Sequence, residues 1–281
     1  GGNTAFRVEA GDLPEFALYL PGMGGNLKFG LIKNGQSKWL TDADKIETRY
    51  RPGSMIYHIA DALLDGGSID IMVLSLFETE GMIVKVAAKN VTGDVQLVAA
   101  YGGATGQKFS RDGDIGADPE SSFYLKPEYC SDNSYSIHQN EFTVFFGSKR
   151  VLTEEERYEI QNLQSQKNDS TTSKENLKTI HGIFPVFAQL KLSDANKQNN
   201  PLQFCQSDSS SSPALCAQIK LNDGPVYFLI QNGKPAESIA YNDLATLFTK
   251  AEKSRQQLAN RIRVITPDPY INTLGGALGI A

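Results

Sequence analysis

Four acidic residues crowd into one short run, Asp112-Gly-Asp-Ile-Gly-Ala-Asp-Pro-Glu120, which brings Asp112, Asp114, Asp118 and Glu120 close together. Several oxygen donors at such spacing are what a hard cation such as calcium requires. The run opens like a calcium-binding loop. Yet Ala117 stands where the sharp-turn glycine belongs, and no glutamate fills the twelfth position. The plainer reading is a tight acidic turn in which Asp and Gly serve loop geometry. Calcium is the only cofactor these residues suggest. The glycine-rich runs Gly22-Met-Gly-Gly25 and Gly102-Gly-Ala-Thr-Gly106 match neither a phosphate-binding loop nor a dinucleotide fingerprint.

Acid–base and nucleophilic chemistry find few footholds. The chain has three histidines, His58, His138 and His181. No Gly-x-Ser-x-Gly elbow accompanies them, so a Ser–His–acid triad has no sequence support. A sugar mutarotase or epimerase on a β-sandwich would need a histidine and a carboxylate as acid and base. No spacing singles out such a pair, and His58, in the alternating run Met55-Ile-Tyr-His-Ile-Ala60, reads as a structural strand residue. The scattered carboxylates likewise single out no pair for glycoside hydrolysis.

Aromatic rings on a sandwich surface can stack on the apolar face of a sugar. Trp39, the single tryptophan, and Tyr101 are the candidates for this role, with core packing as the competing reading. Three cysteines are present. Cys205 and Cys216 flank a serine-rich stretch that could close as a disulfide, which would suit an oxidising compartment, or remain as thiols. Cys130 is left over, and no CxxC, HExxH or Cys/His cluster points to zinc.

The elements that must position these residues are mostly strands. The 281 residues are 40% hydrophobic and 21% charged, the balance of a globular protein. A net charge of -5 offers no basic field to nucleic acid. No apolar run approaches the ~20 residues of a membrane helix. From residue 3 to 146 short alternating segments recur between Gly, Asn and Asp turns, among them Phe16–Leu20, Leu27–Ile32, Lys45–Tyr50, Met55–Ala60, Ser68–Glu78, Gly81–Asn90 and Val95–Tyr101. This predicts a large two-sheet β-sandwich. A capping box at Thr153 and Glu156 predicts a helix from Glu154 to about Lys167. Gly182–Leu190 reads as a single strand, residues 193 to 215 as a long polar loop, and Ala217–Leu221 with Val226–Gln231 as a hairpin.

The tail is helical. Leu244, Leu247, Phe248, Ala251, Leu258 and Ile262 form one apolar stripe, and Thr266-Pro-Asp-Pro269 stops the helix. Tyr270-Ile-Asn-Thr-Leu-Gly-Gly-Ala-Leu-Gly-Ile-Ala281 then starts a second apolar helix without a stop signal, which predicts the N-terminal part of a longer protein. The competing reading is a natural terminal segment docked on the sandwich.

This layout resembles the bacterial six-hairpin glycosidase-like proteins, in which a β-supersandwich precedes a helical linker and an (α/α)6 barrel. Pro267-Asp-Pro-Tyr-Ile-Asn272 looks like the entry to the barrel's first helix. Gly113-Asp-Ile-Gly-Ala-Asp-Pro119 is similar to an uncharacterised domain family at the N-terminus of bacterial glycoside hydrolases. The resemblance implies a mainly β fold: a supersandwich over residues 1–237, an amphipathic linker helix over 238–266 and the start of a barrel over 267–281. It implies that catalysis belongs to the barrel, so no catalytic residue carries over to this chain.

The expected function is therefore a non-catalytic accessory domain of a glycoside hydrolase, shaping the cleft of the (α/α)6 domain. The alternatives are a carbohydrate-binding module or a mutarotase-like sugar enzyme. The expected partners are that C-terminal domain, an oligo- or polysaccharide, and a second copy in a homodimer. The expected location is periplasmic or extracellular.

Overall fold

A computed structural model of the chain describes residues 6–20, 22–105, 124–149, 154, 178–209, 211–233 and 239–280. Its strands follow in the order β1 (Arg7–Ala10), β2 (Glu15–Leu20), β3 (Met23–Lys33), β4 (Gln36–Trp39), β5 (Lys45–Arg51), β6 (Ser54–Ala60), β7 (Ser68–Ser75) and β8 (Gly81–Lys89). Then come β9 (Gln96–Gly102), β10 (Ser134–His138), β11 (Glu141–Phe145), β12 (Thr179–Ile183), β13 (Gln189–Asp194), β14 (Pro213–Lys220) and β15 (Gly224–Asn232). Among the described residues three named α-helices accompany them: α1 (Pro201–Gln206), α2 (Leu244–Ala259) and α3 (Pro269–Ile280).

The strands form two antiparallel sheets. A seven-stranded sheet runs β1-β2-β3-β9-β14-β13, with β4 paired to β3. An eight-stranded sheet runs β10-β11-β12-β15-β8-β7-β6-β5. The expected mainly β, two-sheet architecture with a C-terminal helix is the one observed.

Period-two alternation explains how the sheets face each other. Leu27, Phe29 and Leu31 of β3 point inward, as do Ile69, Ile71 and Val73 of β7 and Val84 and Val86 of β8. Phe29 bridges the two sheets by contacting Phe228 at 5.0 Å between centroids, and the aromatic row continues from Phe228 to Phe184 at 5.0 Å and from Phe184 to Phe142 at 5.1 Å. Burying each such side chain contributes about 1.5–3 kcal/mol. The edge-to-face geometry adds about 0.5–1.5 kcal/mol per pair.

Three local expectations are corrected. β14 and β15 are not a hairpin: β14 pairs with β9 and β13, while β15 pairs with β8 and β12 in the other sheet. The chain crosses between sheets after Leu221, just as it does between β8 and β9. The two crossings tie to each other, with Leu221 N donating to Val95 O (2.9 Å) and Val91 N to Asp223 Oδ1 (3.2 Å). Gly182–Leu190 is not one strand. β12 ends at Ile183, a Phe184–Ala188 turn follows, and β13 begins in the opposite sheet. The polar stretch 193 to 215 contains α1, capped by Asn200 and opened by Pro201, and the start of β14. The helix expected from Glu154 to Lys167 lies outside the described residues.

Outer layers complete the molecule. α1 covers part of the seven-stranded sheet through Phe204 and Cys205, which pack with Ile32, Trp39, Val98, Ala100 and Cys216. α2 lies on the outward face of the eight-stranded sheet. No described helix is long and apolar enough to cross a membrane.

Candidate functional site

The outward face of the eight-stranded sheet is covered at one end and open at the other. Strand register sorts its side chains into rows. The first row crosses β5 to β8 as Glu47, His58, Asp70 and Ala87. The second is Arg49, Ile56, Met72 and Lys85. The third is Arg51, Ser54, Leu74 and Ile83, continuing to Leu229 and Ile183.

α2 covers the third row. Leu244, Phe248 and Ala251, spaced i, i+4 and i+7, cluster with Leu74, Ile83, Ile183 and Leu229. The next residue on this stripe is Arg255, which is buried and donates to Pro52 O at 2.7 Å. Glu252 sits between two guanidinium groups. Arg51 contacts both of its oxygens at 2.9 and 2.6 Å, and Arg255 contacts both at 3.0 and 2.7 Å. Burial pushes the Glu252 carboxyl upward, but hydrogen bonds from Arg255 and Gln256 and the Arg51 charge outweigh it. The group titrates below the usual glutamate value.

The first two rows remain open and line a concavity of about 530 Å³. In it His58 Nδ1 lies 2.6 Å from Asp70 Oδ1, and Lys89 Nζ lies 2.6 Å from Asp70 Oδ2. Burial raises the Asp70 carboxyl, yet the hydrogen bonds from Lys89 and His58 together hold it below its ordinary value. Beside His58, a hydrogen bond and the charge of Lys45 hold Glu47 down. In a neutral imidazole that donates Nδ1–H to Asp70, Nε2 is the basic nitrogen. A carboxylate-oriented imidazole facing a concavity can accept a proton or a hydroxyl hydrogen bond. Ile56 and Met72 give the floor apolar surface.

The sequence pointed elsewhere. Trp39 is buried rather than displayed. Its indole Nε1 donates to Gln198 O (2.8 Å), its ring packs 6.1 Å from that of Phe204, and Lys28 Nζ sits 4.4 Å over it. Tyr101 is also buried and donates to Gly24 O (2.7 Å). Gly24 has a φ of +107°, and a Cβ there would meet Leu18 O at 1.9 Å, so this contact requires glycine. Sugar stacking on Trp39 or Tyr101 is therefore corrected to packing, because neither ring reaches solvent. Asp112, Asp114, Asp118 and Glu120 lie outside the described residues. Among the described residues, no group of three His, Cys, Asp or Glu could hold a metal ion.

Cys205 and Cys216 do meet. They are buried thiols with sulfurs 3.0 Å apart, and their shared hydrogen bond holds Cys205 below and Cys216 above the usual thiol value. Cys130 is a separate buried thiol that burial pushes up to about 12. His181 is buried, 3.3 Å from Thr143 Oγ1 and 3.5 Å from Glu141 Oε2, and His138 ends β10. The sequence reading missed the His58–Asp70 pair. The available signal was two polar residues, each alternating with apolar neighbours, on strands close enough in sequence to pair.

The chain belongs to a family described as a domain of unknown function, DUF4450, whose model matches residues 20–252. No curated protein matches the chain. Solved structures similar to it in shape include two sugar-acting enzymes. One is a bacterial glucoamylase complexed with acarbose, at 9% identity and a TM-score of 0.45, covering 86% of this chain and 34% of that one. The other is the α-N-acetylgalactosaminidase NagBb from Bifidobacterium bifidum in complex with GalNAc, at 6% identity and a TM-score of 0.45, covering 92% of this chain and 39% of that one. The alignment thus spans well under half the length of either enzyme. Likenesses this distant carry no argument about what this chain binds or does.

Proposed function

We propose that this DUF4450 chain is a non-catalytic accessory sandwich of a larger glycoside hydrolase, seated against a separate helical catalytic domain. The observation that carries the reading is the two-faced packing of α3. Its glycine face lies against the sandwich and α2. A Cβ at Gly276 would meet Pro52 at 2.8 Å, and one at Gly279 would meet Leu258 O at 2.5 Å. Its other face is apolar and uncovered: Tyr270 is 85% exposed, Leu274 56% and Leu278 61%. These three residues recur every fourth position, so they form one ridge, and a contiguous exposed apolar ridge marks an interface. A helical domain of the same protein is the occupant that fits a helix already docked on the sandwich by its opposite side.

Periplasmic or extracellular location belongs to the same proposal. There, the adjacent Cys205 and Cys216 thiols would be free to oxidise to a bridge. Expressing the complete gene product beside residues 1–281, and assaying both on aryl glycosides and oligosaccharides, tests the reading. Hydrolysis by the longer protein alone is expected. Hydrolysis by residues 1–281, or a reading frame that adds no helical domain, overturns it.

The His58–Asp70 pair favours a second reading, acid–base chemistry on a sugar such as mutarotation. Polarimetry of anomer interconversion decides it. Acceleration over buffer that is lost in His58→Asn would favour this reading over the accessory one.

A further inference from the structure

We propose that the open end of the eight-stranded sheet is a binding site for an acidic saccharide, a sugar chain that carries carboxylates. The inference goes beyond the accessory-domain reading and does not depend on which domain performs hydrolysis.

Some charges in the concavity are already satisfied and others are not. Both oxygens of Asp70 are engaged, one by His58 and one by Lys89. Glu47 is paired with Lys45 at 2.7 Å. Arg49 and Lys85 line the same concavity, and among the described residues neither forms an ion pair with a carboxylate. Lys85 Nζ instead lies 5.8 Å from the Phe248 ring centroid, at the border of the covered end. The lining holds three cations, Arg49, Lys85 and Lys89, against two carboxylates, Glu47 and Asp70, an excess of one positive charge. In a chain of net charge -5 this is a local reversal of sign.

Geometry narrows the ligand. Arg49 and Lys85 occupy the ends of one row across four adjacent strands, separated at the backbone by Ile56 and Met72. Three strand spacings put their backbones ~14 Å apart. A ligand reaching both is longer than a single small anion. Arginine suits a planar carboxylate because its donors form a fork that binds both oxygens. Ile56 and Met72 between the cations offer apolar surface to a sugar ring, and the Asp70-held His58 offers a hydrogen-bond partner to a hydroxyl in the neighbouring row. Carboxylates at intervals, apolar ring faces and hydroxyls together describe a uronate-containing oligosaccharide.

Calorimetric titration of the chain with galacturonate and glucuronate trisaccharides tests the site, with galactose and glucose trisaccharides and acetate as comparators. A uronate trisaccharide should bind about tenfold more tightly than its neutral counterpart. Binding should weaken as salt rises, since the cations are exposed. Arg49→Ala and Lys85→Ala should each lower affinity by about tenfold. Lys253→Ala, an exposed cation on α2, should leave it unchanged. All these side chains are at the surface, and unchanged melting temperatures would establish that the variants fold. No uronate binding, equal affinity for neutral trisaccharides, or equal loss in Lys253→Ala would overturn the proposal. Acetate binding as tightly as a uronate trisaccharide would also overturn it, leaving a simple anion site.

Discussion

The two ends of one sheet face follow the same strands yet have opposite chemistry. Along β7, the outward residues run Asp70, Met72, Leu74, and along β8 they run Lys85, Ile83 in the same direction. Where α2 lies across the sheet, Leu74, Ile83, Leu229 and Ile183 are apolar and buried; where it does not, charged side chains such as Arg49, Asp70 and Lys85 flank the apolar Ile56 and Met72 in an open concavity. The alternation that builds a strand therefore decides only which residues leave the core. A covering helix decides whether the outward set must be apolar. The boundary is narrow: Lys85 and Phe248 face each other across it. Glu252 marks the other limit, since its bidentate contacts with Arg51 tie the last turns of α2 to the β5–β6 edge.

Removing the cover should have the largest effect. Phe248 is buried against Tyr227 at 5.7 Å between centroids and is part of the cluster under α2. Phe248→Ala is expected to destabilise the chain by about 3–5 kcal/mol. Chemical denaturation measures this directly. A loss below about 1 kcal/mol would mean that α2 contributes little to the sandwich and that the covered end is not a true core.

The electrostatic clamp comes next. Glu252→Gln leaves Arg51 and Arg255 facing a neutral amide. Breaking a fully buried ion pair costs about 3–5 kcal/mol, and the partial exposure of Arg51 lowers the expectation here to about 2 kcal/mol. The pH dependence follows in sign. Glu252 titrates below the usual 4.5 in the folded chain, so its contribution is present above that value. It is lost as pH falls from 4.5 through the depressed folded value. Glu252→Gln should flatten that part of the stability profile, and an unchanged acid limb would assign the loss to other carboxylates.

How much of this contrast is legible from residues alone depends on distance along the chain. The helix under discussion is legible, because Leu244, Phe248 and Ala251 repeat at helical spacing. Its continuation is not. Arginine reads as a solvent-facing residue, yet Arg255 takes the next buried position, and α2 ends at Ala259, which leaves Ile262 of the expected stripe outside the helix and exposed. The mainly β fold is legible from alternation, whereas the assignment of β14 and β15 to different sheets is not, since both are short apolar runs beside a Gly-containing turn. Trp39 looked available because the helix that covers it, α1, lies in a stretch of Asn, Gln and Ser whose only helix signal is Asn200-Pro201. Alternation shows that His58 and Asp70 each leave the core, but only the register of β6 with β7 sets them opposite each other.

The smallest expected effect is on the open end, and it sharpens the contrast most. Asp70 resembles Glu252 in that hydrogen bonds from two neighbouring side chains help hold its carboxyl below the ordinary value. If pairing alone set the energetics, Asp70→Asn would cost as much as Glu252→Gln. The surroundings differ, however. The side chains of His58 and Lys89 are 46% and 62% exposed, against 7% for Arg255. Water and salt screen the open pair, and exposed pairs contribute about 0–1 kcal/mol. Asp70→Asn is therefore expected to change stability by less than about 1 kcal/mol, and the change should vanish at high salt, while that of Glu252→Gln should persist. A cost for Asp70→Asn equal to that of Glu252→Gln would mean that His58 and Lys89 brace the sheet edge rather than line a site.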